Sequence, residues 1–417
     1  MAKLFPGWKV VLGAGMGIAF GSAVFVSSSF SLLAEAIGRE YGWTQSQLAL
    51  GASLVLFMQM FAYPAVGALT DRIGSRIAAL ISITAFAGSL FLLSQVGSPA
   101  LSFIGDPMMQ YYVSFFLVGA LAAGTNVVCY SRALTLWFDR RRGLAIGIAA
   151  AFQAVGATLL PIVFHQLITR WGWEDAVMSL GVFLLVFCFP MVAWLVKDSP
   201  VPYGLHPDGD PAPHPSDPDA ETAARPGIRQ LLADARFRSL ALSFAVLGFA
   251  AYALSTNAVY ILTRTAGLSV GEVATVQAAW GASVLVGRIG FGYLLDRFDG
   301  ALVALLAVGL GAFVFVSYGM GGSYAWIMLT AVAAGIAIGG ESDLIPFLAG
   351  RYFGKEAVST VFGWFLSAFA IGAALGPVTF AQASTLLKGP ELALFGIAAL
   401  HIIPAILFLG LRRAPTA

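Results

Sequence analysis

The sequence predicts an all-α polytopic membrane protein, with twelve transmembrane helices in two pseudo-symmetric six-helix bundles, and three observations predict it. Of the 417 residues, 59% are hydrophobic and only 11% are charged, where a soluble domain averages about 25% charged; too little polar surface remains to cover a globule in water. Twelve apolar stretches are long enough to cross roughly 30 Å of hydrocarbon at about 1.5 Å per residue. Sequence features of the first half recur in the second half.

The elements follow in chain order. Lys3 and Lys9 precede an apolar run from Val10 to Leu33, longer than a signal-peptide core, which is expected to stay in place as a span over 10 to 34. The next five spans are expected over 46 to 69, 77 to 96, 111 to 136, 144 to 168 and 177 to 196. Lys197 to Arg238 then holds prolines at 200, 202, 207, 211, 213, 215, 218 and 226, a density that opposes regular helix and favours an extended, semi-stiff tether. The last six spans are expected over 239 to 262, 271 to 295, 301 to 319, 325 to 349, 357 to 384 and 392 to 411. The predicted organisation is therefore a bundle over 1–196, a cytoplasmic linker over 197–238 and a second bundle over 239–417.

Orientation follows from the cations. With both termini placed in the cytoplasm, seventeen Lys and Arg fall on inner segments, from Lys3 to Arg413, and four on outer ones, Arg39, Arg170, Arg264 and Lys388; that bias sets the topology. The plasma (inner) membrane is the expected location. A net charge of +2 without any block of like charge gives no sign of a nucleic-acid partner. Cys129 and Cys188 both lie in apolar runs, so neither a disulfide framework nor a metal cluster is expected. No cofactor is implied, and a monomer is the expected form.

The halves match in detail. Thr44 with Gln47 and Ser269 with Glu272 both spell a helix-starting capping box. "GALTDR" at 67 to 72 is answered by "GYLLDR" at 292 to 297, and Gly147, Gly156 and Pro161 share their spacing with Gly363, Gly372 and Pro377. A parallel repeat of this kind is a transporter architecture. In "GALTDRIGSR", 67 to 76, Gly67 permits close helix approach, Asp71 can face a helix N-terminus or a basic partner, and Arg72 and Arg76 offer counter-charges; such charges can latch one conformation. A tight turn with positive-inside anchors is the plainer reading.

This loop resembles the signature Gly-x-x-x-Asp-Arg-x-Gly-x-Arg/Lys of the major facilitator superfamily, with a degenerate copy at Gly292, Asp296 and Arg297. "WFDRRRGLAIGIAAA", 137 to 151, is similar to the fifth-helix signature of the monocarboxylate porters, with Trp137, Arg140 and Phe152 as departures. "PGWKVVLGA" at 6 to 14 resembles the start of that group's first helix without its acidic residue, and the oxalate and formate exchangers share much of the pattern. The resemblance implies the major facilitator fold and transport. The Gly-Pro pair that marks drug-efflux members is replaced by "GATLLPIVF".

One cation sits deep in an apolar run: Arg288 precedes Asp296 by eight residues, about 12 Å from the cytoplasmic rim. An unpaired charge there costs on the order of 2.5 to 3.5 kcal/mol. Either it pairs with a carboxylate of the tenth helix, Glu341 or Asp343, or it binds a substrate anion, since guanidinium matches carboxylate with two parallel hydrogen bonds. The second reading is favoured because an intramembrane charge defaults to function. The resemblance agrees, since Arg288 and Gly292 match the porters' eighth-helix Arg-x-x-x-Gly, whose arginine meets the substrate carboxylate.

Asn126 and Tyr130, four residues apart in the fourth helix, are candidates to hydrogen-bond a small oxyanion. Tyr63 is the counterpart of Arg288 under the repeat and a candidate on symmetry alone; Asn257 and Tyr260, and Ser27, Ser28 and Ser29, more often serve packing. The porters' proton-handling lysine and aspartate align with Val26 and Val284, so that role does not carry over. The remaining proton candidates are Glu341, Asp343 and His165, the last near the outer end of its helix. For Glu341 and Asp343, bracing the cytoplasmic gate against basic residues such as Arg132 is weighed above substrate contact.

The sequence thus predicts a secondary active transporter, not an enzyme, that moves small organic anions, monocarboxylates above all, by alternating access and linked to protons. No nucleotide-binding motif supplies energy. Arg288 is expected to hold the carboxylate, and Asp71, Arg72, Arg76, Asp296 and Arg297 to stabilise one facing state. A proton-free anion exchanger, an efflux pump for apolar compounds and a signalling receptor built on a transporter scaffold are the alternatives.

Overall fold

The computed structural model describes residues 5–210 and 227–411. Among them, twelve helices are long and apolar enough to cross a membrane. They are α1 (Gly7–Ser29), α2 (Gln45–Ile73), α3 (Ser75–Leu93), α4 (Pro107–Trp137), α5 (Arg142–Trp171), α6 (Trp173–Leu195), α7 (Ala235–Thr265), α8 (Val270–Leu295), α9 (Gly300–Met320), α10 (Tyr324–Phe353), α11 (Val358–Leu386) and α12 (Pro390–Leu411). Hydrocarbon offers no hydrogen bonds, so each span must satisfy its own backbone, and helix is the solution that does so within one segment.

Both capping boxes are formed. Thr44 N donates to Gln47 Oε1 at 2.8 Å and Gln47 N to Thr44 Oγ1 at 3.4 Å; Ser269 N donates to Glu272 Oε2 at 2.8 Å and Glu272 N to Ser269 Oγ at 3.3 Å. The helix Phe30–Tyr41, which continues the first span, ends on Gly42 in the left-handed region (φ 67°), where a Cβ would be strained.

The chain divides into two compact units. The first comprises Met1–Asp139, Ala149–Ser216 and Val358–Gly363, the second Arg140–Ile148, Asp217–Ala357 and Trp364–Ala417. Neither is one continuous stretch: α5 begins in the second unit and runs on in the first, and α11 does the reverse.

In the first unit two spans are broken at mid-length. α1 pauses at Phe20 and Gly21 and resumes with a π turn over Phe25–Ser29; α4 tightens to a 3₁₀ turn over Ala122–Thr125 and leaves Asn126 extended. The breaks are stitched together, since Ser22 N donates to Thr125 Oγ1 at 2.9 Å and Ser22 Oγ to the Ala122 carbonyl at 3.1 Å. Irregular backbone at this depth survives because protein groups take over its hydrogen bonds. Ser27 and Ser28 bond back to the Val24 carbonyl within α1.

The linker starts on the first unit. Trp137 Nε1 donates to the Lys197 carbonyl at 2.8 Å, Arg76 N to Asp198 Oδ1 at 3.0 Å and Asp139 N to Asp208 Oδ2 at 2.9 Å. Prolines 211, 213, 215, 218 and 226 lie outside the described residues. Beyond the last proline the chain coils again, as a short helix Ile228–Ala233, and α7 starts at Ala235, before the expected 239. Asp234 caps α7 through Arg236 N at 2.7 Å, and its hydrogen bond with the Arg236 side chain holds the carboxyl below its ordinary value.

The repeat is visible in the packing. Gly156 of α5 lies against the Ala19 backbone of α1 in the first unit, and Gly372 of α11 lies against the Ala245 backbone of α7 in the second. Backbone cannot yield as a side chain can, and overpacking costs about 1–3 kcal/mol even where it can relax. Gly156→Val and Gly372→Val are each expected to lower the thermal unfolding midpoint of the purified protein in detergent by several degrees. Gly290→Ala, where a Cβ meets nothing within 4 Å, is expected not to lower it, since alanine favours helix over glycine.

Candidate functional site

Small residues fix the position of Arg288. α8 and α10 approach to backbone contact: a Cβ on Gly339 would lie 2.8 Å from Arg288 N, and one on Gly287 2.8 Å from the Ile336 Cα, while Gly335 faces the Trp280 carbonyl and Ser283. Small residues four apart allow this in lipid. One turn beyond Gly339 stands Asp343, whose Oδ1 accepts from Arg288 Nη1 at 3.1 Å. The side chains of Arg288 and Asp343 are 11% and 2% exposed. The other carboxylate oxygen, Oδ2, is buried without a hydrogen-bond partner. Gly147 of α5 borders it, for a Cβ there would stand 3.3 Å from Oδ2 and 2.6 Å from the Arg288 carbonyl.

Arg288 thus has an internal partner, and of the two candidate acids it is Asp343. The expectation that Glu341 and Asp343 brace the gate does not fit this geometry. Asp343 is engaged by Arg288, and Glu341 lines a cavity inside the second unit. The reason is helical phase: two residues apart on a helix means about 200° of rotation, so the two acids face different neighbours.

The polar residues of the first unit form their own cluster. Tyr63 Oη donates to Gln59 Oε1 at 3.0 Å, Gln59 Nε2 to Ser22 Oγ at 3.0 Å, and Asn126 Nδ2 reaches Tyr63 Oη at 3.5 Å. Tyr63 and Asn126 are therefore brought together at the two helix breaks. Tyr130 is not with them: it is fully buried, its hydroxyl end lies against Gly17, and its hydroxyl has no hydrogen-bond partner. The four-residue spacing misleads because Asn126 is extended rather than helical. Asn257 donates to the Ala253 carbonyl of its own helix at 2.9 Å, and Tyr260 is 40% exposed. His165 is also exposed. Gln59, Ser22 and Thr125 complete the cluster; of these only Gln59 carries a signal in the sequence, a glutamine within a span pointing to function or helix bonding.

The two signature loops make the same device twice. Asp71, 1% exposed, accepts from Thr360 N at 2.7 Å, Thr360 Oγ1 at 2.7 Å and Ser359 N at 3.3 Å, all in the first unit. Ala357 gives α11 no side-chain cap of its own, so a remote carboxylate serves its orphan N–H groups and its dipole. In the second unit, Asp296 accepts from Gly143 N at 2.6 Å and Leu144 N at 2.9 Å, at the start of α5. Arg72 is exposed, Arg76 uses its backbone N–H on Asp198, and Arg297 lies 4.2 Å over the Tyr293 ring.

Removing one partner of a buried ion pair costs roughly 3–5 kcal/mol, whereas removing both charges can be nearly neutral. Arg288→Gln and Asp343→Asn are each expected to destabilise the protein, and the double variant is expected to unfold closer to wild type than either single one. Thermal unfolding of the three variants measures this; additive losses would show that the two side chains do not act as a pair.

The comparisons with known proteins agree with this fold. Residues 15–377 match the family model of the Major Facilitator Superfamily. The chain is 26% identical over 273 residues to monocarboxylate transporter 12 of Xenopus laevis, covering 60% of this chain and 57% of that protein. It is 27% identical over 315 residues to the fujikurins efflux protein of Gibberella fujikuroi, covering 73% of this chain and 60% of that one. The chain therefore spans less than two thirds of the length of either relative. Among solved structures, the human organic anion transporter MFSD10 superposes with a TM-score of 0.70 at 16% identity, over 97% of this chain and 99% of that one. With its twelve spans, repeated signature loops and a family match over most of its length, the chain belongs to the Major Facilitator Superfamily of membrane transporters.

Proposed function

We propose that the chain is a secondary active transporter of small organic anions, monocarboxylates above all, and that it moves them by alternating access together with a proton. The observation that carries this reading is the buried Arg288–Asp343 pair with one carboxylate oxygen unpartnered. Guanidinium has five N–H donors in a fixed fork and prefers two parallel bonds to a carboxylate. A cargo carboxylate competes for that fork with Asp343. Once displaced, Asp343 is a charge in a dry interior, a state that a proton relieves. Cargo and proton are thereby tied to one another with no need for the acidic residue that Val284 replaces. Asp343 is the proton carrier in this account, rather than the exposed His165.

The first unit has its own cluster of neutral hydrogen-bonding groups in Tyr63, Asn126 and Gln59. Asp71 and Asp296, with Arg72, Arg76 and Arg297 beside them, hold the starts of α11 and α5 in one state of the cycle and release them in the other. Both termini lie in the cytoplasm of a plasma (inner) membrane protein, from the bias of Lys and Arg, and the monomer is the working unit. The names of one relative, a monocarboxylate transporter, and of one structural neighbour, an organic anion transporter, point the same way. A second reading, export of apolar compounds, draws on the relative named an efflux protein; there the ion pair is purely structural.

Counterflow in proteoliposomes, with short, aromatic and dicarboxylic acids and with or without a pH gradient, tests the proposal. Wild type is expected to exchange a monocarboxylate and to be driven by an inward proton gradient, and Arg288→Ala to lose exchange by at least about tenfold, equivalent to about 1.4 kcal/mol. Exchange indifferent to pH would support the proton-free exchanger. Normal transport by a folded Arg288→Ala protein would remove Arg288 from the site.

A further inference from the structure

Glu341 turns away from Arg288 into the interior of the second unit. There α7, α9, α10 and α12 line a cavity of about 20 Å³, enough for about one water. Its lining is apolar, with Ala250, Leu254 and Phe315 among the wall residues, apart from two titratable side chains, Glu341 and His401. These are 6% and 2% exposed. No other titratable group among the described residues lines the cavity; Asp343, two positions along α10, is engaged by Arg288.

His401 is placed by a break in α12. Pro404 has no N–H to give the Leu400 carbonyl, and the span divides into Pro390–Leu400 and Ile402–Leu411 with His401 at the joint. The imidazole stands against the Phe315 ring, centroids 5.4 Å apart. Its Nδ1 lies 2.9 Å from the Ile397 carbonyl, an acceptor only. A neutral ring therefore carries its hydrogen on Nδ1 and leaves Nε2 as a bare acceptor.

Nε2 of His401 and Oε1 of Glu341 converge on Gly311 of α9: they lie 2.9 Å and 3.3 Å from the position a Cβ would take there. Glycine at this position lets both side chains approach α9, and all three residues line the cavity. A water in that space would have both groups within reach, the two polar partners that a buried water needs.

We propose that Glu341 and His401 form a proton-binding site separate from Arg288 and Asp343, with one proton held on the Glu341 carboxyl and shared through a water with His401 Nε2. With that single proton the site is neutral overall, whether as carboxylic acid and imidazole or as carboxylate and imidazolium. Loss of the proton leaves an uncompensated carboxylate among apolar walls, which is costly. Release therefore requires a conformation that admits water or a counter-charge, which couples occupancy of the site to the state of the bundle. The site stands whether or not the cargo is an organic anion.

Infrared difference spectroscopy of the full-length protein in lipid, titrated from acid to alkaline pH, tests this. Wild type is expected to show a carboxylic-acid C=O band that disappears with rising pH, that is missing in Glu341→Gln and that persists in Asp343→Asn. His401→Leu removes the other titratable wall group and Gly311→Ala sets a methyl 2.9 Å from Nε2 and 3.3 Å from Oε1; each leaves the carboxylate less solvated and is expected to hold the proton to about one pH unit higher, a tenfold tighter hold. A band unchanged in a folded Glu341→Gln protein overturns the proposal. If that variant fails to fold, a midpoint unmoved in both His401→Leu and Gly311→Ala overturns it instead.

Discussion

A guanidinium in the middle of a bilayer must have a negative partner, and much of the second unit is arranged to give Arg288 one. Glycines at 287, 335 and 339 bring α8 and α10 to backbone contact, and that approach sets Asp343 at 3.1 Å from Arg288. Bulkier residues at those positions would separate the helices and strand two charges. The pair is also incompletely satisfied, since Asp343 Oδ2 has no partner. A fully bonded network would make a rigid strut, whereas a carboxylate using one of its oxygens is easier to displace.

Duplication explains why the charge handling is asymmetric while the scaffold is not. Asp71 and Asp296 occupy equivalent places and each caps a distant helix start. Gly156 and Gly372 each pack on the backbone of the first helix of their six-helix repeat. Tyr63 and Arg288 are also equivalent by position, but one belongs to a neutral hydrogen-bonded cluster and the other to an ion pair. Scaffold contacts match in the two halves, whereas the equivalent positions 63 and 288 differ in their chemistry.

Much of this was legible in the sequence because lipid imposes hard rules. Span positions follow from hydropathy, and the Thr44 and Ser269 caps follow from their residues, since both depend on local chemistry. The partner of Arg288 could be narrowed to two acids but not chosen, because the choice depends on how α10 is rotated, and long-range glycine packing sets that rotation. The breaks at Gly21 and Asn126 carry no proline signal, so the four-residue spacing of Asn126 and Tyr130 suggests one helical face where there is none. His401 sits near the end of the chain in an apolar run, and only the kink before Pro404 turns it inward. The helix Ile228–Ala233 was hidden by the prolines preceding it.

The account rests on cargo and Asp343 competing for one guanidinium. The most direct measurement is equilibrium binding of a monocarboxylate to the purified protein in weakly buffered solution, with proton uptake followed alongside. The account predicts about one proton taken up per carboxylate bound in wild type, binding without proton uptake in Asp343→Asn, and no binding in Arg288→Gln. Carboxylate binding that persists in Arg288→Gln, or that leaves the pH unchanged in wild type, would contradict it.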